Sequence, residues 1–353
     1  MRLFLKIIIL IIYNMYYLSL CCIIKDENYL EEFILYHNIV GVEHFYIYDN
    51  NSNNPIKNRL NNFYFNRICT IIDFPGEEKQ FPAYQHCLKN YGNQTKWMAI
   101  IDGDEYIVPK QDWSIRDLLN RNEHAQAIGI NWVIFGSNFY ENIQEGYLVD
   151  KYRYCEGGQN PHIKSIFQPH FVTTVSHPHF VNIMDNSKYI DCKGNIISGS
   201  FNDNYTIDLI QINHYHYRSV EDYIKKHNRG NADSTQRVHI HNNHHALCND
   251  KIDNYLPDKY LPDIKYYFKL VSTNPVIYIA LNKDIDPKNI YNHIIENAQK
   301  ENRPLHITDK YPYFNKDIYR QNYIDIQHLN DEDLELHYIN IGINEGRISD
   351  KLI

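Results

Sequence analysis

Lys96-Trp97-Met98-Ala99-Ile100-Ile101-Asp102-Gly103-Asp104-Glu105 is the stretch that decides how this chain is read. Its apolar part has the length and composition of a strand buried on both faces, and it ends abruptly in two carboxylates around a glycine. The preceding residues repeat the plan. Leu18–Ile24 is a second apolar strand, stopped by Lys25-Asp26-Glu27-Asn28. A helix is predicted from Tyr29 to Val40, with Asp26 or Asn28 as its cap and Glu31 and Glu32 in its first turns. Leu30, Phe33, Ile34 and His37 form its apolar stripe, and Gly41 ends it. His44–Tyr48 reads as a strand, Asp49–Pro55 as a loop, Pro55–Phe63 as a helix, Arg67–Phe74 as a strand and Gln80–Tyr91 as a helix. Four strand–helix alternations in about ninety residues are the mark of βαβ units: an α/β fold with a mostly parallel sheet flanked by helices. Such sheets bind ligands beyond the carboxyl ends of their strands. Lys25-Asp26-Glu27, Asp49-Asn50-Asn51 and Asp102-Gly103-Asp104 all fall at such ends, which predicts one shared site.

The composition agrees with a folded, non-nucleic-acid-binding protein. Of 353 residues, 43% are hydrophobic and 22% charged, enough to build a core. The net charge of −8 argues against binding to a phosphate backbone. The seven cysteines are scattered without a C-x-x-C, so neither a disulfide framework nor a zinc ribbon is expected. Residues 1–14 are a separate hydrophobic segment. It reads as a signal or weak membrane anchor, as a buried extra element, or as an extension ahead of a start at Met15. The sheet is expected to continue through residue 270, with a boundary near Pro257–Pro262. A helix and then a strand are expected over Lys265–Lys283, within or beside a linking segment at 271–310. Residues 311–353 read as a small helical unit, with helices at Lys316–Tyr323 and Asp331–Gly342.

Asp102 and Asp104 at the end of a strand are hard oxygen ligands, suited to Mg²⁺ or Mn²⁺ that also binds substrate phosphates. Glycine between them permits close backbone approach. His214 and His216 follow the alternation Ile207–Ile212 and share one strand face, so either can complete a metal site. Arg218, Lys225, Lys226 and Arg229 form a basic run, which suits a departing diphosphate but equally a solvated helix face. Lys164 is a phosphate-binding candidate. His177 and His179 are acid–base candidates. His239, His241, His244 and His245 match no tetrahedral zinc pattern.

Ile24–His37, Gly41–Ser52 and Trp97–Tyr106, with Trp132–Ser137 and Asn213–Ser219 in the same order, resemble glycosyltransferases of family 92 and their family 2-like relatives. The resemblance covers about Tyr17 to Asn231. It implies a GT-A fold over residues 15–270, a nucleotide-sugar donor, a divalent metal and inversion at the anomeric carbon. The tail Tyr319–Arg347 is similar to a helical unit appended to some bacterial-type glycosyltransferases. On this reading Asp104 and His214 hold Mn²⁺ or Mg²⁺, with Asp102 contacting the metal through water or the donor ribose. Lys25, Glu27, Asp49, Asn50, Asp102, Lys164 and Arg218 contact a donor such as a UDP-sugar. Glu141, Glu156, His177 and His179 are the candidates for the base that deprotonates the hydroxyl of a glycan or glycoconjugate acceptor. Two other functions use the same residues: a metal-dependent phosphohydrolase, and a non-catalytic glycan-binding protein on a decayed transferase fold. Asn50, Asn93 and Asn204 head glycosylation sequons. A glycan on Asn50 would obstruct the donor loop, which favours a cytosolic or virion-associated enzyme over a lumenal one.

Overall fold

A computed structural model describes residues 15–111, 114–230 and 247–352. Two compact units are present, one running to Ile264 and the other comprising Asn62–Tyr64 and the residues from Lys265 onward. The hydrophobic segment 1–14 and the histidine group 239–245 lie outside the described residues. Among those described, no helix is long and apolar enough to cross a membrane.

The first unit is built on a nine-stranded sheet. Its strands are β1 (Tyr16–Ile24), β2 (His44–Asp49), β3 (Cys69–Asp73), β4 (Thr95–Ile100), β5 (Glu105–Pro109), β6 (Ala127–Ile134), β7 (Ile163–Phe167), β8 (Tyr189–Asp191) and β9 (Ile210–His214). The order is β3-β2-β1-β4-β7-β6-β9-β5, with β8 also on β6. The first four strands are parallel, as the alternation predicts. β7 runs antiparallel between β4 and β6, and β5 closes the sheet antiparallel to β9. The result is a mixed α/β fold with a mostly parallel sheet.

Two helices cover the early strands. α1 (Leu30–Ile39) is buried at seven of its ten positions, far beyond a single stripe. Its Tyr36 hydroxyl donates to the Ile107 carbonyl (2.8 Å), and the Ile107 N–H donates to His37 Nε2 (3.1 Å). β5 is an edge strand, and these two side chains satisfy backbone groups that would otherwise be left open for pairing. His37 Nδ1 lies 2.8 Å from the Phe33 carbonyl, which fixes the ring as the Nδ1–H tautomer. α2 (Gln80–Tyr91) packs Ala83, Tyr84 and Cys87 against Cys21, Ile23, Met98 and Ile100. All seven cysteines are free thiols, and five of them, including Cys21 and Cys22 in β1, are buried. Burial pushes the thiols of Cys21 and Cys22 well up and that of Cys155 to about 12.

Several local expectations change. Neither Asp26 nor Asn28 caps α1; the Glu27 carboxylate accepts from the Tyr29 N–H instead (3.0 Å). Pro55–Phe63 is not one helix. Two single turns form, at Ile56–Arg59 and Phe65–Ile68, because the asparagine-rich stretch between them favours local side-chain bonds over helix. The boundary expected near Pro257–Pro262 falls between Ile264 and Lys265, and both prolines lie in a helix, Tyr255–Val271. Lys265–Lys283 holds the end of that helix and a second helix, Pro275–Leu281, with no strand. Asn274 caps the second helix, accepting from Val276 N and Ile277 N. The second unit gathers Ile277, Leu281, Phe314, Tyr319, Leu334 and Ile339 into its own core. Its helices Lys316–Asn322 and Asp331–His337 match the expected positions, the latter extended by a wide turn at Tyr338–Gly342.

Candidate active site

The turn Asp102–Asp104 carries the chain from β4 in mid-sheet to β5 at the edge. Register fixes what it meets. Glu105 pairs with His214 across β5 and β9, and the Tyr215 N–H donates to the Asp104 carbonyl (2.9 Å). His214 is therefore brought to the acidic turn by strand pairing, one hundred residues downstream. A Cβ on Gly103 would lie 2.4 Å from Ile24 Cδ1, so the turn is pressed onto the end of β1.

The carboxylates have different partners. Asp102 accepts from Gln80 Nε2 (2.9 Å) and Tyr84 OH (3.3 Å) on α2, and from Lys164 Nζ (2.8 Å) on β7. Lys164 is almost wholly buried and also lies 3.4 Å from Glu105. It is thus the counter-ion beneath the turn. Burial alone would lower its pKa, but Asp102 and Glu105 raise it above the ordinary lysine value. Asp104 Oδ2 accepts from Lys226 Nζ (2.5 Å), and its Oδ1 lies 3.7 Å from His214 Nε2. Burial would raise the Asp104 carboxyl, but Lys226 and His214 hold it well below the usual carboxylate range. Burial lowers His214 against the pull of Asp104, and its Nδ1 has no hydrogen-bond partner among the described residues.

Two clefts meet here. One, of 240 Å³, is lined by Asp102, Gly103, Asp104, His179, His214 and His216, among others. The other, of 770 Å³, is lined by Glu27, Asn28, Tyr217, Arg218, Asp222 and Arg229, among others. Lys25, Glu27, Asp104, His216, Lys226 and Arg229 line both. Arg218 is buried, with Nη1 on Glu27 (2.8 Å) and its plane over the Tyr29 ring (5.2 Å). Its Nε and Nη2 have no partner among the described residues. Burial would lower its pKa, yet Glu27 and Asp104 hold it above even the usual arginine value. Arg218 at φ 49° and Asp26 at φ 52° put non-glycine residues in the left-handed region on the cleft wall. Such outliers cluster at functional sites.

Of the residues expected from sequence, Lys25, Glu27, Asp102, Asp104, His179, His214 and Arg218 line these clefts, whereas Lys164 lies beneath. Asp49 and Asn50 line neither cleft. Asp49 accepts from Ser52 N and Ile56 N (both 2.9 Å), and the Asn50 amide donates to the carbonyls of Phe74 (3.0 Å) and Gly76 (2.9 Å). Glu141 is exposed. Glu156 accepts from Ile134 N (2.7 Å) and holds Asn160. His177 accepts from the His179 N–H (3.2 Å). His179 is pushed down to about 3 by burial, with Lys164 adding to the shift.

Sequence reasoning passed over Gln80, Tyr84 and Asp222. Lys226 and Arg229 were visible only as members of a basic run. On α3 (Val220–Arg229) Lys225 pairs at the surface with Glu221 (2.8 Å), while Lys226 turns to Asp104 and Arg229 to the Lys25 carbonyl. The 100° step between neighbours on a helix separates these roles.

Among the described residues, no three His, Cys, Asp or Glu side chains are grouped to hold a metal ion. Asp104 Oδ1 and His214 Nε2 nevertheless make a carboxylate–imidazole pair at the cleft. Two protein ligands with substrate phosphates completing the shell is a usual arrangement for a small divalent cation, so these residues fit such an ion. Asp102, held by Gln80, Tyr84 and Lys164, fits an indirect contact better than a direct one.

The model of glycosyltransferase family 92 matches residues 16–253, which contain the whole sheet and both clefts. A glycosyltransferase family 92 protein of Oryza sativa subsp. japonica is 28% identical over 114 residues, covering 32% of this chain and 20% of the relative. One from Ricinus communis is 22% identical over 220 residues, covering 59% of this chain and 37% of the relative. The chain thus spans less than two fifths of the length of either relative. Among solved structures, HddC from Yersinia pseudotuberculosis covers 50% of this chain and 91% of its own length at 13% identity, with a TM-score of 0.31, a likeness too slight to bear on the fold. With the family match extending over the sheet, the acidic turn and the strand that brings His214 to it, the chain belongs to glycosyltransferase family 92.

Proposed function

We propose that this chain transfers a sugar from a nucleotide-sugar donor, a UDP-sugar in the first instance, to a hydroxyl of a glycan or glycoconjugate, on a GT-A-type sheet and with inversion. The observation that carries the reading is the acidic turn facing a 770 Å³ cleft whose wall holds Lys226, Arg229 and the unpartnered half of the Arg218 guanidinium. A diphosphate leaving group is the ligand such a wall suits, because positive charges gathered at the cleft stabilise the negative charge that develops on it, the buried Arg218 guanidinium in particular without reorganising. Asp104 and His214 would hold Mn²⁺ or Mg²⁺, which supplies charge neutralisation at the diphosphate.

In the transfer, the acceptor oxygen forms a bond to the anomeric carbon as the bond to the diphosphate oxygen breaks. The electron pair leaves with the diphosphate, and the acceptor proton passes to a base on the protein. Of the four base candidates named from sequence, only His179 lines a cleft, and a ring pushed to about 3 accepts protons poorly. Asp222 lines the larger cleft, is buried, and is raised by burial above the usual aspartate value despite Arg218 nearby. It is the better-placed proton acceptor. Screening nucleotide sugars for Mn²⁺-dependent hydrolysis tests the reading, and a chain that instead cleaves simple phosphomonoesters would be a phosphohydrolase. Asp222→Asn should cut turnover by about a hundredfold with donor affinity kept; unchanged turnover would remove Asp222 from the role.

A further inference from the structure

We propose that Lys226 and the divalent cation are alternative partners of Asp104, and that Lys226, once released, becomes a ligand of the donor diphosphate. The inference deepens the transferase reading and rests on it. Three observations lead to it. Lys226 Nζ lies 2.5 Å from Asp104 Oδ2, within a carboxylate whose other oxygen faces His214 at 3.7 Å. An ammonium and a metal ion bound to the same carboxylate compete for its charge, since each is stabilised by it and repels the other. Second, a third of the Lys226 side chain is exposed, against 9% for Asp104. The lysine therefore reaches in from the cleft and can withdraw along it, whereas the carboxylate is fixed by its turn. Third, Lys226 lines both clefts, so a modest rotation of its flexible stem carries the charge from one to the other.

The other cations near the turn differ. Lys164 is buried between Asp102 and Glu105, and Arg218 is tied to Glu27. Among the described residues, Lys226 is the one at the acidic turn that joins a direct Asp104 contact to a partly exposed stem. The arrangement links loading to chemistry: the cation that draws the diphosphate in also frees a second positive charge to meet it.

Lys226→Met keeps the stem and removes the charge. Two measurements are made on the full chain. Mn²⁺ binding to the nucleotide-free protein is followed by the electron paramagnetic resonance of free Mn²⁺, and UDP binding at saturating Mn²⁺ by calorimetry. The proposal expects opposite shifts: Mn²⁺ bound about tenfold more tightly by Lys226→Met, and UDP about tenfold more weakly. A purely structural lysine would weaken both. Mn²⁺ affinity equal to or below that of the wild type overturns the competition. Unchanged UDP affinity overturns the hand-over. Asp104→Asn separates this failure from failure of the transferase reading. If wild type binds Mn²⁺, Asp104→Asn loses it and Lys226→Met does not tighten it, the metal reading stands and the role of Lys226 falls. If wild type and Lys226→Met bind neither Mn²⁺ nor UDP, both fall together.

Discussion

Aspartates stand at the end of β2 and in the turn after β4, both at carboxyl ends of parallel strands, and they are opposite in use. Asp49 gives both its oxygens to main-chain N–H groups of its own loop, and Asn50 gives its amide to the loop after β3. The loop builds itself. Asp102 and Asp104 accept from side chains on α2, β7 and α3, up to 122 residues away, and Asp104 faces the cleft. An acidic cluster at a strand end becomes a site when its oxygens are left to distant side chains. It becomes scaffold when neighbouring N–H groups take them.

The contrast can be broken most directly at Asp104. Asp104→Ala should lower transfer by at least about a thousandfold, the scale of losing a preorganised charge at a reacting centre, with the thermal midpoint nearly kept. Near-normal turnover at saturating Mn²⁺ would show that the turn is scaffold too.

Acid sharpens the contrast by testing the scaffold away from both strand ends, at buried histidines beside β5 and at the start of β2. His37 is pushed down to about 3 by burial and His44 to about 4. Each is neutral in the fold, while an unfolded histidine titrates near 6.5. Their folded values are depressed, so their contribution to stability is full above about pH 6.5 and falls away progressively as pH drops toward 3 to 4. The full cost at His37 is on the order of 5 kcal/mol. Urea midpoints should decline from pH 6.5 to 4, less steeply in His37→Gln, which is less stable at neutrality. An equal slope in that variant would place the acid sensitivity elsewhere.

The smallest expected effect belongs to the scaffold loop. Asp49→Ala should cost about 2 kcal/mol, from two backbone N–H groups left without acceptors, and leave the UDP affinity of the folded protein close to wild type. A large loss of affinity at unchanged stability would return Asp49 to the donor site.

The legibility of the molecule follows the range of its interactions. β1 to β4 and the helices α1 and α2 were readable because apolar length, period and stop signals are local; Gln80–Tyr91 appears with its expected ends. The Asp102–Asp104 turn was readable as a composition break. Its partners were not. Nothing near Gln80 or Tyr84 in sequence indicates Asp102, and Lys164 reads as a phosphate ligand until β7 is seen inserted antiparallel beside β4. His214 was the intermediate case: an alternating strand gave its face, but only pairing with β5 brought it to the turn. Pro257 and Pro262 marked the division between the two units to within a few residues but not the helix that runs past it: Pro257 sits in the first turn, where proline is tolerated, and packing carries the helix through Pro262.

The buried thiols have a practical consequence. Alkylation needs a thiolate that a reagent can touch, and Cys21 and Cys22 offer neither while β1 stays between β2 and β4. Cys69 and Cys248 are partly accessible. Under a steady dose of reagent the chain therefore keeps two clocks. The partly exposed cysteines record loosening of the periphery, and the pair in β1 records only the opening of the whole sheet. Counting labels per molecule over time would rank variants by how often the sheet comes apart, without a substrate and without knowing which sugar is moved.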